Sequence, residues 1–83
     1  MERIYFHGTT SKKKAQSILK NGFQEGTWFA DHLEDALEFG GKYVFFVEIE
    51  WIGKRTYHWQ ICSSNKISQN NIIKLVKYDY EKI

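Results

Sequence analysis

The sequence predicts a small α+β domain with a split, mostly antiparallel sheet and two helices, both in the N-terminal half. Three observations lead there. Apolar runs of strand length open the chain, recur at residues 43–51 and return toward the C-terminus. Apolar residues at helical spacing occur twice, both times before Gly41. The strands after residue 42 follow one another without an intervening helix, which suits antiparallel neighbours joined by turns. With 83 residues, 42% of them hydrophobic and 17% aromatic, the apolar mass supplies one core and no second one. The expectation is a single domain over residues 1–83, in the order β-α-β-α-β-β-β.

Ile4-Tyr5-Phe6 opens the first strand, three apolar residues that suit burial on both faces, and His7-Gly8-Thr9-Thr10 ends it. Gly8 permits a sharp turn or the close approach of another molecule, because it has no Cβ. A titratable side chain beside a glycine at the end of a buried strand is a place for a ligand. The plainer alternative is a histidine satisfied by one hydrogen bond.

Thr10 or Ser11 caps a helix over residues 12–21, with Ala15, Ile18 and Leu19 inward and Lys12, Lys13, Lys14 and Lys20 on the solvated side. Asn21-Gly22 stops that helix, and Phe23 folds back onto it. Residues 24–26 form a loop and residues 27–30 a very short strand closed by Asp31. Asp31 caps a second helix over residues 32–39, with Leu33, Ala36 and Leu37 inward and Gly40-Gly41 at its end. Residues 43–51 read as the central strand, continuously apolar at first and then alternating through Glu48 and Glu50. Gly53-Lys54 reads as a turn, residues 55–62 as the next strand, and residues 63–71 as a polar loop broken by Ile67. Residues 72–80 form the last strand, with Ile73, Leu75 and Tyr78 on different faces.

Charged residues make up 27% of the chain, yet the net charge is only +2, which does not predict nucleic-acid binding. The lysine run near residue 12 is most simply a solvated face, with a phosphate contact as the alternative. Cys62 stands alone, so no internal disulfide is possible and a reducing compartment follows; it reads as a small strand residue rather than a nucleophile. No apolar run is long enough for a membrane span, and the first residues lack the layout of a signal peptide. A cytoplasmic protein that avoids the membrane is therefore expected. His7, His32, His58 and Asp31 have no metal-ligand spacing, so no metal centre is expected.

Three stretches in order resemble the ADP-ribosyltransferase superfamily, in its branch of diphtheria-toxin and poly-ADP-ribose polymerase relatives. They are Phe6-His7-Gly8-Thr9, then Ala15-Gln16-Ser17-Ile18 with Gly22-Phe23, then Gly26-Thr27-Trp28-Phe29-Ala30 followed by Ala36-Leu37-Glu38-Phe39-Gly40. A valine- and aromatic-rich strand comes after, and the resemblance covers residues 4–50 well and the remainder loosely. It implies an ADP-ribosyltransferase-like fold with NAD in a cleft between the halves of the split sheet. It further implies that His7 bonds a ribose hydroxyl and that Gly8, with Thr9 beside it, offers backbone groups to the nicotinamide carboxamide. Trp28, beside Phe29, and Phe39 would sandwich the nicotinamide ring by stacking. Ordinary core filling is the alternative for both aromatics.

In that family a glutamate at the start of a late strand stabilises the positive charge that develops as nicotinamide leaves. Counting back from Ile67 places that position on His58, with Gln60 one strand step further on the same face. Neither is a carboxylate. Glu48 and Glu50 lie in the wrong strand for this motif and read as solvent-facing or lysine-paired. Two functions therefore stay open. One is a minimal transferase that moves ADP-ribose to a macromolecular acceptor, with His58 or Gln60 in the glutamate's role. The other is a catalytically degenerate module that binds NAD, a related nucleotide or a protein partner without turnover, such as a phage or mobile-element inhibitor.

Overall fold

The computed structural model describes residues 2–78. Six strands, two helices and one 3-10 turn follow in chain order. They are β1 (Arg3–Thr9), α1 (Lys12–Asn21), β2 (Trp28–Phe29), α2 (Leu33–Gly40), β3 (Tyr43–Ile49), β4 (Gly53–Arg55), β5 (Ile61–Ser63), the 3-10 turn Gln69–Asn71 and β6 (Ile72–Lys77). The strands form two antiparallel three-stranded sheets, β1-β3-β6 and β2-β5-β4. The α+β class, the two early helices and the central place of β3 are as the sequence predicts.

Alternation of side chains along β1 and β3 builds two cores, one on each face of the first sheet. Tyr5, Phe45 and Val47 join Phe23, Phe29, Ile52, Ile61 and Ile67 on one face, with Ala15 of α1. Val44 faces the other way with Ala30 and Ala36, where Phe6, Leu33, Leu37, Phe46 and Trp59 pack around them. Phe45, buried completely, and Phe46, half-buried, thus serve opposite faces of one strand. This is why the sequence of β3 is apolar at consecutive positions. Among the described residues the two sheets are bridged in backbone at one place, where Phe6 and Ala30 each donate to the other's carbonyl at 2.8 Å.

Ser11 caps α1 as expected, accepting from the Lys14 N–H at 3.1 Å. Gly22 closes the helix at a φ of 81°, and Phe23 folds back into the core, its backbone bridged to Ile67. Four details differ from the sequence expectations. Leu19 is exposed rather than inward, because Ala15 and Ile18 alone meet the core from that helix. Asp31 does not cap α2; His32 holds that position without a side-chain cap bond, while Asp31 turns to the Arg55 guanidinium at 2.5 Å. Gly53-Lys54 is not a turn but the start of β4. Residues 55–62 are not one strand: β4 ends at Arg55 and a tight loop leads into β5. In that loop the Gln60 carbonyl accepts from the N–H groups of both Thr56 and Tyr57. The last strand ends at Lys77, and Tyr80 of the expected strand lies outside the described residues. Among the described residues no helix is long and apolar enough to cross a membrane.

Candidate functional site

His7 stands on the face of β1 that meets α1 and β2. Its side chain is 9% exposed and lies among the rings of Trp28, Phe23, Phe29 and Phe45, with centroids 4.8 to 6.4 Å away. His7 Nδ1–H donates to the Trp28 carbonyl at 2.8 Å. A carbonyl only accepts, so this bond fixes the proton on Nδ1 and leaves Nε2 with a lone pair. Burial pushes the imidazole below its ordinary pKa of 6.5 and the Lys14 charge adds to that, against the opposing effect of the Trp28 bond. The ring is neutral at pH 7 and Nε2 is an acceptor.

A cavity of about 450 Å³ opens against this ring, within the size range of small-molecule sites. His7, Phe23, Thr27 and Trp28 form one wall. The other comes from α1, where Lys14, Ser17 and Asn21 follow at intervals of three and four and so share one face. Among the described residues Lys14 is the one charged side chain in the lining, so the cavity favours an anionic ligand. Its other side chains are hydrogen-bonding groups, the Trp28 indole and the apolar Phe23 and Ile18.

Gly8, next in the strand, points the other way. A Cβ there would stand 2.7 Å from the Ala36 carbonyl oxygen and 3.2 Å from the Gly40 Cα, so the missing side chain admits α2. Its peptide groups face the same strand edge as those of Phe6, two residues earlier. Phe6 pairs with Ala30 there, but the pairing goes no further and Trp28 is not laddered to Gly8. The sheet splits at this point. A Cβ on Gly40 would stand 2.6 Å from the Gly8 carbonyl oxygen and 2.7 Å from the edge of the Trp28 indole, so a glycine is needed there for α2 to pack against Gly8 and Trp28.

The remaining expected site residues disperse. Thr9 is buried, and its hydroxyl accepts from the Ser11 N–H at 3.2 Å. Phe29 has no exposed surface and is core. Phe39 is 51% exposed at the end of α2, and its ring stacks on Trp59 at 4.2 Å and 13°. Trp59 in turn meets Trp28 edge to face at 5.5 Å. The two aromatics expected to sandwich a ligand ring are therefore bridged by a third. His58 and Gln60 do not share a strand face, because they flank Trp59 in the loop between β4 and β5. His58 is exposed, its carbonyl accepts from Arg55 at 2.7 Å, and its ring leans on Tyr57.

The structure thus brings His7 and Trp28 together with Lys14, one of the lysines expected on a solvated face with a phosphate contact as the alternative, and adds Ser17 and Asn21. With Lys14 these two form a polar stripe at helical spacing. Trp59 carried the weaker signal of lying between the two positions set against the missing glutamate. Among the described residues no group of three His, Cys, Asp or Glu side chains is placed to hold a metal. No family profile, curated protein or solved structure matches the chain, so what the cavity holds is argued from its own geometry.

Proposed function

We propose that the protein binds NAD or a related nucleotide in the cavity between α1 and the β1/β2 wall, as an ADP-ribosyltransferase-like domain that has kept the binding cleft. One observation carries this. A neutral His7, oriented by its bond to the Trp28 carbonyl, shares a cavity with the Trp28 indole and the Lys14 ammonium. A nucleotide asks for those three partners together: an acceptor for a ribose hydroxyl, a flat surface for a ring and a cation for phosphate. Ser17 and Asn21 lie between Lys14 and the far end of α1 and suit further ribose hydroxyls. The resemblance puts the nicotinamide carboxamide at Gly8, the residue that follows His7 in β1, and this is the reason for choosing NAD over other nucleotides.

Binding without turnover is the favoured form, because among the described residues no lining side chain is a carboxylate and the charge that develops on a departing nicotinamide needs one. Transfer of ADP-ribose to a protein acceptor is the second form. It would draw on His58 or Gln60, whose loop reaches Trp28 through Trp59.

Calorimetric titration of NAD into the purified protein, with nicotinamide assayed in the same sample, tests both. The expected result is saturable binding at one site with no nicotinamide released, weakened about tenfold or more by Lys14→Met. Release of nicotinamide would establish the transferase instead. Absence of binding to NAD, ADP-ribose and AMP alike would overturn the nucleotide proposal.

A further inference from the structure

The aromatic bridge over α2 has a consequence for how a ring enters the site. Phe39 is half exposed, yet one face of its ring is covered by the Trp59 indole, almost parallel at 4.2 Å. That separation is the stacking distance of a bound aromatic ring. Trp59 also reaches Trp28 at 5.5 Å, and Trp28 is the indole of the cavity wall. The indole therefore fills the position between Trp28 and Phe39 that a nicotinamide ring stacked there would need.

The loop that delivers Trp59 is suited to leaving. Tyr57 and His58 are exposed, and the loop closes on itself through Thr56, Tyr57 and Gln60. Arg55, at its base, holds the His58 carbonyl and the Asp31 carboxylate. Among the described residues, the loop's ring contacts beyond itself are those of Trp59 with Phe39 and Trp28. Moving Trp59 out breaks these two ring contacts and its packing against the Ala30, Ala36 and Val44 cluster, while Arg55 anchors the base of the loop.

We infer that Trp59 is a built-in occupant of the ring position, which the flat ring of a bound nucleotide must displace from Phe39. Trp59 then sets the affinity of the site and selects for ligands whose ring replaces its stack. A ligand that lacks the second ring gains nothing from displacing the indole. This inference rests on the nucleotide-binding proposal, and its test separates the two.

NAD and ADP-ribose, which differ by the nicotinamide ring, are titrated into the wild-type protein and Trp59→Ala. Trp59→Ala is expected to bind NAD several-fold to about tenfold more tightly, the scale of one aromatic stack, and ADP-ribose with unchanged affinity. Equal NAD affinity in the two proteins, or weaker binding by Trp59→Ala, would overturn the inference and make Trp59 a wall or a bystander. If neither protein bound NAD, ADP-ribose or AMP, the nucleotide proposal itself would fall, and this inference with it.

A second measurement uses the wild-type chain and does not depend on the variant folding. Three indole N–H signals, from Trp28, Trp51 and Trp59, are assigned by nuclear magnetic resonance. Saturating NAD is expected to speed solvent exchange at Trp59 and leave Trp51 unchanged. A Trp59 signal whose exchange stays slow at saturation would show that the indole never leaves.

Discussion

His7 does two jobs with two nitrogens. Nδ1–H is committed to the Trp28 carbonyl, which fixes the tautomer, and Nε2 keeps its lone pair beside the cavity. The sequence made His7 legible as a strand-end histidine with one hydrogen bond, and that plainer alternative is correct as far as Nδ1 goes. It could not show that the bond goes to Trp28, 21 residues on, because the pairing of β1 with β2 is long-range. The buried ring also makes stability depend on pH. The unfolded chain takes up a proton near pH 6.5, whereas the folded chain, with its lowered pKa, resists it until the pH is lower. More protons are then bound unfolded than folded, so stability falls as pH drops below about 6.5 toward the folded-state value. At Asp31 burial raises the pKa, but the Arg55 hydrogen bond and charge together outweigh it and hold the carboxyl below 3.8. Its contribution is therefore lost only in more acid solution, outside the histidine's window. His7→Asn keeps an N–H donor near the Nδ1 position but takes up no proton. Urea unfolding between pH 7 and 5 should show a falling midpoint for the wild type and a flatter one for His7→Asn; parallel curves would place the pH dependence elsewhere.

At the scale of elements, the helices and β3 were the most legible parts, since their apolar spacing matches the core everywhere but at Leu19, and the Ser11 cap holds although the Asp31 cap does not. The hairpin of β4 and β5 was the least legible. Thr56, Tyr57 and Trp59 have strand-forming side chains, so nothing in residues 55–62 announces a turn. The turn exists because the Gln60 carbonyl gathers two N–H groups and Arg55 takes the His58 carbonyl. Gly53 misled in the opposite way. It looked like a turn residue, but in β4 its lack of a side chain lets the strand lie close to Cys62, whose carbonyl a Cβ would strike. Gly53→Ala is therefore expected to force β4 and β5 apart at a cost of about 1–3 kcal/mol. Gly26→Ala is the comparison, with open space around it and a φ of 86°. It should cost about 1–2 kcal/mol through backbone strain alone. The two differ in where the damage goes. The near-ultraviolet circular dichroism of the Trp28–Trp59 pair should change in Gly53→Ala, because the hairpin carries Trp59, and persist in Gly26→Ala.

For the whole molecule, the larger core cluster matters more than either sheet alone. Tyr5, Phe45 and Val47 come from the first sheet and Phe29 and Ile61 from the second, so this cluster joins the two across a split that, among the described residues, is bridged in backbone only at Phe6 and Ala30. It is also the floor of the cavity, since Phe23 belongs to both. That partnership between the halves was hidden in the sequence, where Phe29 read as a site residue beside Trp28 rather than as the inter-sheet core. A chain of 83 residues has a total stability of about 4–12 kcal/mol at 0.05–0.15 kcal/mol per residue. Removing a buried phenyl ring costs about 3–5 kcal/mol. Phe29→Ala therefore consumes much or all of the stability and should weaken or abolish the cooperative urea transition. A nucleotide that binds only the folded chain opposes this, by about 2.7 kcal/mol at one hundred times its dissociation constant. NAD at that excess over the variant's own constant should restore a cooperative transition, and should raise the wild-type thermal midpoint by roughly 11–22 °C at 4–8 °C per kcal/mol. A Phe29→Ala midpoint within about 0.5 kcal/mol of the wild type would show that the sheets are not held together through this ring. Loss of stability without rescue, alongside normal NAD binding by the wild type, would show that the cavity cannot re-form once its floor is cut.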